Sequence, residues 1–139
     1  MNSGSNNQPV TYDYFIAAKW TNLDEVMRLT HALRAKGKSV YCFAEDEQGA
    51  MIAFTPFDDL KLDDPMLVKA YERDTQALRD SAALIMLMPA GKSSHIEAGM
   101  AHGLGKTCIL VGEMGPTQGL YRIFDAIYPT VDAFLADSR

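Results

Sequence analysis

The stretch Ala82–Val111, AALIMLMPAGKSSHIEAGMAHGLGKTCILV, decides the fold. Ala82 to Met88 is a continuous apolar run, the pattern of a central parallel strand covered on both faces. Ser94 then opens a helix, Gly105 ends it, and Thr107 to Val111 is a second buried strand. Working back from there, Asp64-Pro65 is a cap followed by the preferred first helical residue. Leu67, Ala70, Tyr71, Asp74 and Leu78 recur at helical spacing and predict a buried stripe that carries one carboxylate. Before that helix, Glu45 to Asp63 mixes acidic residues with Met51, Ile52, Phe54, Pro56 and Phe57 and has no sustained period. A connection of that length reads as a functional loop or lid. Further back lie a strand at Tyr12 to Ala17, a helix capped by Thr21 with Asp24, and a strand at Ser39 to Phe43. The helix has a stripe of Leu23, Val26, Met27, Thr30 and Leu33 and stops at Gly37. Toward the C-terminus come a short helix at Gln118 to Phe124, a brief strand at Asp125 to Tyr128 and a last helix from Thr130 to Ala136. Alternation of this kind predicts an α/β three-layer sandwich, flavodoxin-like or Rossmann-like, with about five parallel strands.

The chain has 139 residues, the size of one domain, and residues 1 to 9 have almost nothing to bury. The expected organisation is a disordered tail over 1–10 and a single domain over 11–139. A hydrophobic fraction of 47% and a charged fraction of 22% exclude disordered and collagenous classes. The net charge of −5 lacks the basic excess that a phosphate backbone attracts, so a nucleic-acid polymer is not an expected partner. The longest nearly continuous apolar run, Ala82 to Ala90, is about half of the roughly 20 residues that span a bilayer, so no membrane span is expected. No signal core opens the chain, and Cys42 and Cys108 form no metal or redox spacing. A reducing cytoplasm is the expected location.

Ligands of an open parallel sheet bind beyond the carboxyl ends of its strands, where the strand order reverses. Here that point falls between the first and third strands. The loops meeting there are Ala17-Ala18-Lys19-Trp20 and Pro89-Ala90-Gly91-Lys92-Ser93-Ser94, with Glu97 on the first turn of the helix that follows. Ser94-His95-Ile96-Glu97 also has the form of a capping box, whose glutamate reaches back to the backbone N–H of the cap. The two readings are compatible, because a carboxylate held by N–H groups at a helix N-terminus stays ionised and can still attack. Asp74, on an apolar face, calls for an Arg or Lys partner or for a functional reason. Trp20 reads either as a half-buried packing residue or as a platform for a planar base, and Lys19 either as a solvated lysine or as a phosphate contact. The hydroxyls of Ser93 and Ser94 read as caps or as an anion site. His95 and His102 lie roughly 10 Å apart along a helix at about 1.5 Å per residue, too far to share one ion, and no metal is expected.

Gly91 to Glu113, GKSSHIEAGMAHGLGKTCILVGE, resembles the signature of the nucleoside 2-deoxyribosyltransferase-like family: a loop, a Glu-x-Gly-x-Ala helix, a Gly-Lys turn and an apolar strand. Those positions are Glu97, Gly99, Ala101, Gly105 and Lys106, and the aspartates of the family on and after the preceding helix match Asp74 and Asp80. The resemblance covers most of the chain from Tyr12 onward. It implies cleavage of the N-glycosidic bond of a nucleoside or nucleotide, with Glu97 attacking the anomeric carbon and Asp74 positioning substrate or managing protons. It implies no cofactor, and a homo-oligomer that borrows residues across its interface, with Met51 to Phe57 as a candidate contact or lid. Tyr12-Asp13-Tyr14-Phe15-Ile16 also resembles the opening of TIR domains, some of which cut the glycosidic bond of NAD with a glutamate. Gly91 stands where transferases of the family carry a base-contacting residue, which favours hydrolysis over transfer. Lys19, Lys92, Ser93 and Ser94 favour a phosphorylated substrate. The competing expectation is a non-catalytic module that senses a nucleotide-derived ligand, supported by Gly91 and by the first loop, which has no Gly-Pro or Gly-Ser after the strand.

Overall fold

In the computed structural model, which describes residues 10–46, 48–52, 56–57 and 59–138, the apolar run forms the middle of a five-stranded sheet. The strands are β1 (Tyr12–Ala17), β2 (Val40–Cys42), β3 (Ser81–Leu87), β4 (Thr107–Val111) and β5 (Ala126–Tyr128). Their order is β2-β1-β3-β4-β5 and every pairing is parallel, with Phe15 opposite Leu84 and Ile85 opposite Ile109. This is the flavodoxin-like α/β arrangement. Side chains alternate along each strand, so one set of residues faces each layer of helices. Ile16, Ile85, Leu87, Ile109 and Val111 pack with Val26, Leu29 and Leu33 of α1 (Leu23–Ala35) and Val131 and Phe134 of α4 (Val131–Asp137). Phe15, Ala17, Tyr41, Leu84, Met86 and Leu110 pack with Ala77 and Leu78 of α2 (Pro65–Arg79) and Ala98 and Ala101 of α3 (Lys92–Gly103). Among the described residues no helix is long and apolar enough to cross a membrane.

Several boundaries differ from the expected ones for local reasons. Thr21 does not cap α1: it lies in a 3-10 turn, Trp20–Asn22, and the cap is Asn22, whose amide instead donates to Met88 O at 3.2 Å. That bond ties the loop after β1 to the loop after β3. The second strand is shorter than Ser39 to Phe43. Ser39 is engaged by the Asp13 carboxylate, which accepts from its N–H at 2.9 Å, and Phe43 already turns away from the sheet. The helix expected at Gln118 to Phe124 is a 3-10 turn, Gly119–Ile123. Asp125 stays outside β5 because its carboxylate accepts from Cys108 N at 2.9 Å. The last helix starts one residue late because Thr130 is its cap and accepts from Ala133 N.

The capping of α2 is as read, with the Asp64 side chain accepting from Met66 N. Its stripe is not. Thr75, Ala77 and Leu78 are buried, whereas Leu67 and Ala70 are only partly covered and Tyr71 is 62% exposed. Only the second half of α2 contributes buried residues to the core, and the apolar residues of its first half stay open. The expected tail at residues 1 to 9 and part of the Met51 to Phe57 segment lie outside the described residues.

Candidate functional site

The strand order reverses between β1 and β3, and the two loops that leave them there are held against each other. Gly112, just after β4, has φ +112°, and a Cβ there would stand 2.9 Å from Met88 Cβ, so only glycine lets the loop after β3 lie this close. The Met88–Pro89 peptide is cis. Across the crevice the aliphatic stem of Lys19 lies over Gly91, where an added Cβ would meet Lys19 Cε at 3.3 Å. Lys19 itself is exposed. Ala18 and Trp20 are half-buried, and the Trp20 ring meets Phe43 edge to face with centroids 5.2 Å apart. Trp20 and Ala18 therefore pack on the α1 side of the core.

The capping box does not form. α3 begins at Lys92 with Gly91 as its cap, so Ser94 sits inside the first turn, 2% exposed, and Ser93 is exposed beside it. Gly91 O is taken by His95, whose Nδ1 donates to it at 2.7 Å while Nε2 meets the Tyr121 hydroxyl at 2.8 Å. Because the helix starts early, Glu97 lies on its second turn, half-buried, and makes no hydrogen bond or ion pair among the described residues. Burial, and secondarily the charge of Asp74, push its carboxyl up to about 8. The expectation of a carboxylate held ionised by backbone N–H groups is thereby corrected.

Asp74 is half-buried on α2, which packs beside α3 on that face of the sheet, and its charge acts on Glu97. The sequence offers either an Arg or Lys partner or a functional reason for it; the structure gives it a tyrosine hydroxyl, with the Arg73 charge nearby. Tyr41 Oη donates to Asp74 Oδ1 at 2.6 Å. Burial raises the Asp74 carboxyl, and the Tyr41 bond and the Arg73 charge oppose that rise. Tyr41 is stacked on Phe15, with centroids 5.1 Å apart, and the Arg73 guanidinium lies 5.4 Å from its ring centre. Arg73 also donates to the carbonyls of Phe43 and Glu45. Glu45, 7% exposed, is gripped by Arg34 at 2.6 and 2.9 Å. The chain after β2 thus forms a short tongue, closed by the Glu45–Met51 bridge and by Asp46, whose side chain accepts from the N–H groups of Gln48 and Ala50.

The structure therefore brings together Asp74 with Glu97, and Lys19 with Gly91, and sets Ser93 and Ser94 on the first turn of α3. Sequence reading missed Tyr41, Arg73 and Phe43. The available signal was a tyrosine at the centre of an otherwise apolar strand, since a buried phenol needs a polar partner. A cleft of about 410 Å³ runs along the edge of β2 past Tyr12, Tyr41, Arg73 and Gln76, and neither Asp74 nor Glu97 lines it. Among the described residues no three His, Cys, Asp or Glu side chains are grouped to hold a metal ion.

The fold and site together define an all-parallel α/β protein with two half-buried carboxyls, Asp74 on α2 and Glu97 on α3, near enough for the charge of Asp74 to act on Glu97. No family model matches the chain, and no curated protein matches it. Among solved structures it is similar to that of the Clostridium botulinum CMP N-glycosidase BcmB, with a TM-score of 0.61 and 20% sequence identity, covering 89% of this chain and 96% of that one. At that identity the likeness is one of fold.

Proposed function

We propose that this chain cleaves the N-glycosidic bond of a nucleoside 5'-monophosphate by hydrolysis, as a single domain over residues 11–139 of the nucleoside 2-deoxyribosyltransferase-like family. The observation that carries the reading is the pair Glu97 and Asp74: two half-buried carboxylates from different helices, close enough for the charge of one to raise the other. Paired carboxylates flanking one space are what glycoside chemistry uses, one to attack and one to handle protons. The solved structure of similar fold is a CMP N-glycosidase, which supports the same bond and substrate class.

In the first step Glu97, ionised, attacks C1' of the sugar. The C1'–N bond breaks, its electron pair leaves with the base, and a proton from solvent neutralises that base while Asp74 positions the substrate. The resulting glycosyl ester is then cut by water, which releases ribose 5-phosphate and returns a proton to the carboxylate pair. Lys19 and the first turn of α3, with Ser93 and Ser94, form the phosphate end of the site. Trp20 and Gly91 border the sugar and base, and Ala18 is part of the wall at the end of β1. The ligand is a small nucleotide, the chemistry needs no cofactor, and the half-covered apolar face of α2 with exposed Met66, Val68 and Tyr71 suits a homo-oligomer; a reducing cytoplasm is the location that goes with this reading.

The test incubates purified protein and its Glu97→Gln variant with nucleosides, nucleoside monophosphates and NAD, and follows free base by chromatography. Release from a monophosphate that the variant abolishes is the expected result, and full release by Glu97→Gln would sink the reading. A second reading, a module that binds such a ligand without turnover, is favoured by the surroundings of Glu97: burial without a donor pushes its carboxyl up to about 8 and disfavours the ion that attack requires. Tight binding of CMP with no release at any pH up to 9 selects it.

A further inference from the structure

We propose that Tyr41 is a positioning residue that acts through Asp74: its buried hydroxyl fixes Asp74 as the anion of the carboxylate pair and leaves the pair's proton on Glu97. The inference rests on the glycosidase reading for its consequence in catalysis, and on geometry for the rest. The Tyr41 ring is 8% exposed, stacked on Phe15 at an interplanar angle of 20°, met edge-on by Tyr12 at 5.5 Å and approached by Arg73. A ring gripped in this way has no room to swing its hydroxyl off Asp74. The 2.6 Å separation is that of an O–H donating to an ionised carboxylate. Burial and the Asp74 charge both raise the phenol, so it remains the donor.

Among the described residues the groups facing the pair are few. β2 brings Tyr41, α2 brings Arg73 beside Asp74 itself, β1 brings Tyr12 against the Tyr41 ring, and α3 brings Glu97. Tyr41 and Arg73 favour the anion of Asp74, and neither donates to Glu97. Two carboxylates competing for one proton then resolve in one direction, with Asp74 charged and Glu97 neutral. Attack requires Glu97 to give that proton to solvent, so Tyr41 sets the pH at which the nucleophile becomes available.

Tyr41→Phe removes the hydroxyl and keeps the ring. Asp74 loses its donor, the shared proton moves toward it, and Glu97 ionises at a pH lower by about one unit. The measurement is carboxyl-carbon NMR of glutamate-labelled protein titrated with pH, the Glu97 signal being the one missing from Glu97→Gln. A folded Tyr41→Phe protein whose Glu97 midpoint does not move overturns the proposal. So does a shift of Tyr41→Phe that persists in full in the Asp74→Asn background, since Tyr41 must act through Asp74. If Tyr41→Phe does not fold, fluorotyrosine at position 41, a stronger donor of nearly the same shape, should move the midpoint upward, and no movement overturns it. Base release from the panel of nucleosides, nucleoside monophosphates and NAD in the same samples separates the two ideas. A shift without release leaves the positioning standing and removes the glycosidase reading, while release without a shift does the reverse.

Discussion

Glu45 and Glu97 are both removed from bulk water, yet they have opposite surroundings. Glu45, at the root of the tongue after β2, is 7% exposed and held by two bonds from the Arg34 guanidinium. Glu97, on α3, is partly exposed and has no donor among the described residues, only the like charge of Asp74 nearby. A buried charge with a bidentate partner is already at rest and serves the fold. A carboxyl that burial and a second acid push up to about 8 holds free energy that a substrate can release. The contrast separates an acid that the fold has paired from one it leaves without a donor among the described residues.

The sharpest way to break that contrast is to remove each acid in turn. Glu97→Gln is expected to lower base release by about a thousand-fold or more while leaving stability unchanged or improved, because it removes the cost of keeping an unpartnered acid protonated in the folded state. A clear loss of urea stability in that variant would mean that Glu97 is structural after all. For the other acid the order of effects reverses. Arg34→Ala strands Glu45 in the interior and should cost about 2 to 3 kcal/mol, whereas Glu45→Gln leaves Arg34, whose side chain is 37% exposed, to find water and should cost only about 1 kcal/mol. Urea denaturation at pH 7 reads both, and equal costs would dissolve the asymmetry.

These two glutamates also mark how far the sequence could be read. The strand–helix–strand pattern around Ala82 to Val111 decides the sheet, because an apolar run bounded by Gly and a cap has few alternatives. Glu97 and Asp74 were legible as candidates through their place in that pattern. What was not legible was anything that depends on a side chain from another element. The Tyr41 hydroxyl reaches Asp74 across 33 residues, and Asn22 abandons its capping role for a carbonyl 66 residues away. The capping box failed for a related reason: α3 starts earlier than its serine signal, because Gly91 can cap through its backbone and its carbonyl is fixed by His95. Spacing describes a chain's own neighbours and says little about partners delivered by the fold.

A gentler test of the same contrast uses pH. The Glu97 carboxyl titrates higher in the folded protein than its ordinary value of 4.5, so the folded state binds a proton that the unfolded state has already lost. Its contribution to stability is present in full below the unfolded value and is lost as pH rises through about 8. Between those limits wild-type stability should fall relative to Glu97→Gln by about 1 kcal/mol per pH unit. Base release should climb over the same interval as Glu97 becomes ionised. Parallel stability curves for the two proteins would show that Glu97 is not perturbed in solution.

The smallest effect concerns two cations that repeat the comparison with the opposite sign. Arg73 has its guanidinium committed to the carbonyls of Phe43 and Glu45 and to the Tyr41 ring, whereas Lys19 is exposed, has no acidic partner among the described residues and lies over Gly91 at the start of α3. An incoming phosphate would therefore meet Lys19 and not Arg73, because only the uncommitted cation gains by binding it. Lys19→Met keeps the stem over Gly91 and removes the charge, and should lower kcat/KM for a nucleoside monophosphate substrate about tenfold, the scale of one charge-assisted hydrogen bond, while leaving the matching nucleoside unchanged. Arg73→Met should instead lower stability and reduce both substrates together. If Lys19→Met reduces both substrates equally, the ammonium does not read the phosphate, and the loop after β1 acts only as a wall.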